Sequence, residues 1–336
     1  MDVSSLLYSL GDRVAVSAPP AGPAVPRADV RARFDDLAAR VDEWTRTRGL
    51  AGPRPPARCE RLAARLFPTA PPDRVELFAC WTAWAFALDD LLDEDPLGGS
   101  ANSVHALFDD LGGALRRGGA RPGARPLEAA LAELWRATGR LQGRAWRRRF
   151  LTSLEEQRAG CAQEAVHRRM REIPDLRGYP SLRRRAGAPF LFDLIEPVLG
   201  VELPGSLFGT PCWTALAEAA ADTVAWCNDI ASYPREFGRG DVHNHVTVLG
   251  AAYGFAPERA ARTVCERIGL RAADLAAAGR ALPATLDLMR YEPTERLAAE
   301  RVARVLLAAP RAHLDWLIES SRYATAAWPE AVPSPR

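Results

Sequence analysis

Apolar side chains recur along this chain every three or four positions, the spacing that gathers them on one side of a helix. The stretch "VRARFDDLAARVDEW" shows it first, with Val30, Phe34, Leu37, Val41 and Trp44 in one stripe. Comparable stretches follow at about 57–67, 74–94, 102–117, 127–140, 144–170, 181–200, 210–237, 243–254, 257–269, 271–289 and 293–325. Proline and glycine punctuation such as "PTAPPD", "GGARPGARP" and "EIPDLRGYP" separates them. Alternating β-branched runs are almost missing, so the pattern predicts an all-α protein. The Gly/Pro stretches are short and the helical period resumes after each, which predicts one helical domain over 27–336. Residues 1–26 end in "APPAGPAVP" and read as a segment that is extended or loosely packed against that body.

A chain of 336 residues with 48% hydrophobic content can bury a large core. Its 44 basic and 42 acidic residues leave a net charge of +2, so no overall field draws it to nucleic acid or to an anionic membrane. The balance points to a small-molecule ligand. Every basic residue is arginine, which excludes a P-loop lysine, a Schiff-base lysine and a lysine general base. It also makes arginine clusters less informative, and "RAWRRRF" at 144–150 reads as a solvated face. Six widely spaced cysteines without a C-x-x-C pair suit a reduced, cytoplasmic setting. No signal peptide is legible in "MDVSSLLYSLGDR", and no window is long and apolar enough for a membrane span.

Two clusters stand out from this background. In "WTAWAFALDDLLDED" an uncharged helix runs into Asp89, Asp90, Asp93, Glu94 and Asp95. Asp89 and Asp93 lie one turn apart on one face, with Phe86, Ala85 and Thr82 beneath them. Stacked carboxylates at a helix C-terminus repel each other and oppose the dipole, so something cationic should compensate. Trp81 and Trp84 fall off that face and are assigned to the core.

The second cluster is "CNDIASYPREFGRGDVHNHV", where Asn228, Ser232 and Glu236 follow at intervals of four. They drift by about 40° per step and share one helix face, offering three oxygen donors of which one is charged. Magnesium takes oxygen ligands, typically one or two carboxylates with the rest from water and phosphate. A site shared with a diphosphate has this composition, and Asp229 is placed to support the ligands from behind. His243 and His245, two residues apart, lack helical metal spacing and read as polar contacts at a helix start.

Asp89-Asp90-x-x-Asp93 resembles the D-D-x-x-D motif of the bacterial class I terpene cyclases, and Asn228-Asp229-x-x-Ser232-x-x-x-Glu236 resembles their N-D-x-x-S-x-x-x-E motif. "FGRGDVHNHVTVL" and "LDWLIESSRYATA", with Arg322 and Tyr323, resemble what that family carries after the second motif and near its C-terminus. The resemblance implies an α-helical bundle around a central active-site cavity, with the two motifs at its mouth holding three Mg2+ ions on an isoprenyl diphosphate. It implies Asp89 as chief ligand of the first pair of ions with Asp93 auxiliary, Asp90 behind them, and Asn228, Ser232 and Glu236 on the third. It gives Arg322 and Tyr323 to the diphosphate and implies a diphosphate-sensing arginine within "YPSLRRRAGAPF", where Arg183 fits best and Arg184 and Arg185 read as surface charges, although one of them could be the sensor instead. Gly187, Ala188, Val224, Phe86 and Trp316 are then placed on the cavity wall, with core packing as the other reading of Phe86 and Trp316. Antiparallel homodimers are common in such a family.

Two positions depart from the family pattern. Pro234 lies between Ser232 and Glu236 and should bend the helix, which leaves the direction of Glu236 open. Ala186 stands where a polar residue would link the sensor arginine to the helix break at Gly187–Ala188. The expected activity is cyclisation of farnesyl diphosphate first, geranylgeranyl diphosphate second. A prenyl-chain elongating synthase and a non-catalytic helical scaffold are the rival readings. The first lacks its second aspartate-rich motif and its lysines here; the second rests mainly on Pro234.

Overall fold

Among the residues described in a computed structural model (3–15, 27–52, 54–93, 97–323 and 328), the backbone forms helices and turns with no strand. In chain order the helices are α1 (Val3–Ala15), α2 (Arg27–Thr47), α3 (Cys59–Leu66), α4 (Pro72–Leu92), α5 (Ala101–Arg117), α6 (Pro126–Gly139), α7 (Arg144–Met170), α8 (Tyr179–Ala186), α9 (Phe190–Asp193), α10 (Ile195–Leu199), α11 (Pro211–Arg239), α12 (His245–Tyr253), α13 (Pro257–Leu288) and α14 (Pro293–Glu319).

Most boundaries follow the punctuation. Proline occupies the first turn of α4, α6, α8, α11, α13 and α14, where its missing N–H costs nothing. Gly118, Gly200, Gly240 and Gly254 close α5, α10, α11 and α12 in the left-handed conformation that glycine reaches without strain.

Three expectations change. The stretch at 181–200 is not one helix but α8, α9 and α10, interrupted at Gly187 and at Ala188, whose φ is 57°. The two stretches expected at 257–269 and 271–289 form the single helix α13, because the apolar stripe through Val264, Ile268, Ala272 and Leu275 continues past Gly269. Residues 3–15 are neither extended nor loose: they form α1, which buries Leu6, Leu7, Leu10 and Val14. The Pro/Ala-rich stretch from 16 to 26 lies outside the described residues.

Two compact units emerge from the contacts. The first contains α1, the end of α7 from Val166, α8 and α11 to α14. Here α11 is the central helix and packs on α1, α8, α12, α13 and α14. The second contains α2 to α7 as far as Ala165, with α9 and α10. Its α4 packs on α2, α3, α6 and α10.

In the second unit, Phe150 is fully buried with its ring 5.1 Å from Trp81, 5.3 Å from Trp135, 5.1 Å from Trp146 and 5.5 Å from Phe190. The indoles also satisfy their N–H groups: Trp81 donates to Thr138 Oγ1 (2.8 Å), Trp84 to the Leu127 carbonyl (2.9 Å) and Trp146 to the Asp193 carbonyl (2.8 Å). Trp81 and Trp84 are core residues, as their position off the Asp89 face predicts. Phe150→Ala should therefore cost about 3–5 kcal/mol, the loss of transfer energy plus an unfilled cavity. Urea unfolding followed by tryptophan fluorescence checks this, and a loss below about 1 kcal/mol would contradict the packing described.

Candidate functional site

In the first unit, Thr210 caps α11 by accepting from the Trp213 N–H (3.3 Å). Between Ala219 and Pro234 the helix is buried except for a half-buried stripe at Ala221, Val224, Ala225 and Asn228. Asn228 stands at its polar end. Its Oδ1 accepts from Arg183 Nη2 (3.2 Å) and its Nδ2 donates to Tyr323 Oη (3.0 Å). One turn on, Ser232 is fully buried and its Oγ donates to the Asn228 carbonyl (2.8 Å), which leaves the oxygen lone pairs unused by that bond. Another turn on, Glu236 Oε2 accepts from Asn244 Nδ2 (2.8 Å). Pro234 does not end the helix, which continues to Arg239.

Asp229 fixes this arrangement from behind. The side chain is buried, and its Oδ2 accepts from Tyr179 Oη (2.8 Å) and from the His245 N–H (3.2 Å) while Oδ1 accepts from Arg183 Nε (2.9 Å). Burial, with Asp229 beside it, raises the Tyr179 phenol well above its ordinary range, so it remains a donor. Asn244 caps α12 by accepting from the Val246 N–H (2.9 Å) and donates to the Asp229 carbonyl (2.8 Å) as well as to Glu236. His245 lies against Trp226 and Tyr179, and its Nε2 accepts from Arg267 (3.0 Å). Burial pushes its imidazole down to about 3, so it is a neutral packing group; the two histidines are helix-start contacts as the spacing suggests.

Helix α8 supplies the arginine. Arg183 reaches Asn228 and Asp229, whereas Arg184 donates to both oxygens of buried Asp222 (2.8 and 2.9 Å) and reaches Glu218 (3.3 Å). Arg184 is thus a structural counter-ion and not a surface charge. Ala186 offers no polar side chain to the break, and the helix ends because Gly187 has φ −85° and ψ 36°, with its N–H donating to the Arg183 carbonyl (3.0 Å). A Cβ on Gly187 would come within 2.8 Å of that carbonyl, so a larger residue would disturb Arg183 directly.

After α14 a 3-10 turn over Ser321–Tyr323 brings the chain back to the same site. Arg322 is buried there, and its N–H donates to Ser320 Oγ (3.3 Å). The Tyr323 ring meets Trp316 edge-on at 6.1 Å and lies under the Arg235 guanidinium at 5.5 Å. Trp316 is buried. Within one unit, then, the fold gathers Arg183, the Asn228 face and the Tyr323 hydroxyl from three distant stretches of chain.

The acidic cluster belongs to the second unit. Asp89 is exposed near the end of α4, and Asp93 caps the helix with its N–H on the Asp89 carbonyl (2.9 Å). The compensating cation is in part Arg54, which pairs with Asp90 and donates to Asp93 Oδ2 (3.2 Å). Below them Phe86 is half-buried, while Ala85 and Thr82 are buried, Thr82 Oγ1 donating to the Phe78 carbonyl (2.9 Å). Glu94 and Asp95 lie outside the described residues.

The donors suit a hard divalent cation. Among the described residues no group of three or more His, Cys, Asp and Glu side chains forms a metal cluster; the candidate ligands are an amide, a hydroxyl and one carboxylate in the first unit and, in the second, an exposed aspartate pair. Glu236 carries the clearest sign. Burial, then the nearby Asp241 and Asp229 charges, push its carboxyl up to about 8, although about 19% of its side chain is reachable. A bound cation would remove that cost. Sequence reasoning missed Tyr179, Arg54 and Asn244. Only Asn244 had a local signal, an N-cap residue before the apolar run "HVTVL".

Residues 80–274 match the family described as terpene synthase family 2, C-terminal metal binding. The chain is 34% identical over 263 residues to a (-)-delta-cadinene synthase of Streptomyces clavuligerus, covering 78% of this chain and 80% of that protein. It is 35% identical to a (+)-T-muurolol synthase of Roseiflexus castenholzii, named as farnesyl diphosphate cyclizing, over 56% of this chain and 58% of that one. Among solved structures, germacradien-4-ol synthase from Streptomyces citricolor superposes with a TM-score of 0.75 at 26% identity, covering 86% of this chain and 94% of that chain.

A raised carboxyl binds a proton more tightly in the folded state than in the unfolded one. Stability held at low pH is therefore lost as pH rises from about 4.5 through about 8. Glu236→Gln should remove this contribution. In metal-free protein the variant should gain on the wild type across that window, read as the difference in urea midpoint, and a gap independent of pH would refute the burial of this charge.

Proposed function

Because the chain belongs to the bacterial class I terpene synthase family, we propose that it is a Mg2+-dependent cyclase that ionises farnesyl diphosphate and closes the resulting carbocation to a sesquiterpene hydrocarbon or alcohol. The observation that carries this reading is the meeting of Arg183 and Tyr323 on the two sides of the Asn228 amide, a set of donors and acceptors suited to a metal diphosphate. Farnesyl diphosphate takes precedence over geranylgeranyl diphosphate because the muurolol synthase relative is named for cyclising it. The relatives also favour cyclisation over chain elongation or a scaffold role.

In this reading Asp89 and Asp93 would hold the first pair of ions and Asn228, Ser232 and Glu236 the third, with Asp90 and Asp229 orienting these ligands. When bound, magnesium supplies Lewis-acid neutralisation of the charge that gathers on the leaving diphosphate. Arg183 and Arg322 donate planar forks to phosphate oxygens and Tyr323 adds a phenol. Arg183 does so as the diphosphate sensor, since its Nη2 bond to Asn228 transmits a change at the phosphate to the amide. Gly187 and Ala188 form the break that ends the sensor helix. The hydrocarbon meets Phe86, Ala85, Thr82, Val224 and Trp316, which exclude water from the cation; aromatic faces contribute about 0.5–2 kcal/mol each.

The catalytic domain is proposed to span 27–336, with α1 of the N-terminal segment packed on its helices α11, α13 and α14, a reading supported by a family match that runs through both units. Among the described residues no helix is long and apolar enough to cross a membrane. Cytoplasmic location and pairing as a homodimer complete the proposal, and light scattering after gel filtration checks the second.

Purified protein incubated with Mg2+ and, separately, geranyl, farnesyl and geranylgeranyl diphosphate should yield a cyclic terpene from farnesyl diphosphate in hexane extracts read by mass spectrometry. A longer diphosphate formed only when isopentenyl diphosphate is added would instead establish chain elongation. Asp89→Ala and Asn228→Ala should each abolish turnover while circular dichroism stays unchanged. Full activity in both would remove these residues from the metal site.

A further inference from the structure

One titratable group of the first unit has no part in the machinery described so far. His313 lies on α14, one turn before Trp316, and keeps only 8% of its surface exposed. Its Nδ1 is buried and has no hydrogen-bond partner among the described residues. Its helix neighbours one turn back are Ala309 and Pro310, and one turn on are Trp316 and Leu317, and none of them is bonded to it. A buried polar atom left unpaired costs about 1–3 kcal/mol, so its retention calls for a reason.

The surroundings supply one. The His313 ring lies 5.3 Å from the Trp316 ring, Trp316 meets Tyr323, and the Tyr323 hydroxyl accepts from Asn228. Through these two ring contacts and that hydrogen bond the imidazole is linked to the Asn228 amide. His245 is the useful contrast. It is buried and has an unpaired Nδ1 too, but Arg267 occupies its Nε2 and its own N–H is tied to Asp229. No such tether holds His313.

On the reading that this chain cyclises an isoprenyl diphosphate, we infer that His313 is the base that ends the carbocation sequence. A C–H bond next to the cationic carbon breaks, its electron pair closes a C=C bond, and the proton goes to a ring nitrogen of His313. The imidazolium so formed has the same sign of charge as Arg183, and it returns the proton to the released diphosphate or to water when product leaves. Burial, then the Arg183 charge, push the imidazole down to about 3, which keeps it neutral with a free lone pair at neutral pH. Such a weak base suffices, because an alkyl cation is a far stronger acid than any imidazolium. A basic imidazole would be protonated beforehand and useless.

The test reads products per diphosphate released, with magnesium and farnesyl diphosphate, in wild type, His313→Phe and His313→Gln. The share of the wild-type major product should fall roughly tenfold in the phenylalanine variant, with products ended elsewhere in its place. The glutamine variant should show the same direction, and it stands in if phenylalanine does not fold. Nitrogen-15 spectra of histidine-labelled wild type should show a neutral His313 at neutral pH. An unchanged product distribution, a charged His313 in wild type, or a folded variant that releases no diphosphate would each overturn the inference, the last by assigning the residue to ionisation. Absence of diphosphate release by the wild type would instead strike the cyclase reading itself.

Discussion

The buried carboxylate of Asp229 is the constraint on which the first unit's site depends. A charge taken out of water survives only when its oxygens are fully engaged, and here a phenol, a guanidinium and a backbone N–H engage them. Those donors come from two stretches: Tyr179 and Arg183 from α8, the His245 N–H from the start of α12. Asp229 therefore locks α8 and α12, two of the neighbours of α11, in register against it. Asn228 inherits its geometry from that lock, since the residue next to a fixed anchor on a helix has little freedom left. Asn244 closes the arrangement by bonding the Asp229 carbonyl and Glu236 together.

Much of this was legible beforehand, and the limits have physical causes. Helix periodicity gave the class of fold because it reports which face is buried, and it gave Asn228, Ser232 and Glu236 one face because a fixed rotation per residue needs no knowledge of partners. It failed where tertiary packing overrides local signals. Helix α1 begins with "VSSLLYSL", a weak pattern that becomes a helix through burial of Leu6, Leu7 and Leu10. Gly269 looked like a stop, yet α13 passes through it because both flanks are packed. Among side chains, Arg184 looked like its neighbours in an arginine run, and only the position of Asp222, far along the chain, separates its task from that of Arg183. Arg54 sits in "GPRPPARC", where nothing local announces an acidic partner.

An arginine-only complement shapes the electrostatics throughout. Asp222 is held by Arg184 and Arg271, Glu196 by both oxygens on Arg149, and the end of α4 by Arg54. Burial raises the Asp222 and Glu196 carboxyls and the arginines draw them back down, a balance that requires partners which cannot shed their charge. A lysine in those positions would have the alternative of deprotonating. Arginine keeps its charge beside these buried carboxyls and so pins the helices that carry them.

The two candidate metal-binding stretches differ in what a cation would change. Asp89 is exposed, so a cation there gains Coulomb attraction in a strongly polar medium. Glu236 is costly to ionise, because burial and the charges of Asp241 and Asp229 all oppose its anion. For that group a cation offsets a penalty the fold has already imposed, and the gain per charge is larger in the less polar surroundings. Selectivity follows from the same asymmetry. With one expensive carboxylate and two neutral oxygens, a divalent ion on this face is left with net positive charge, which an anionic diphosphate is needed to complete. A cation on the stretch with a single charged ligand would thereby be the one whose binding is most tightly coupled to a bound diphosphate.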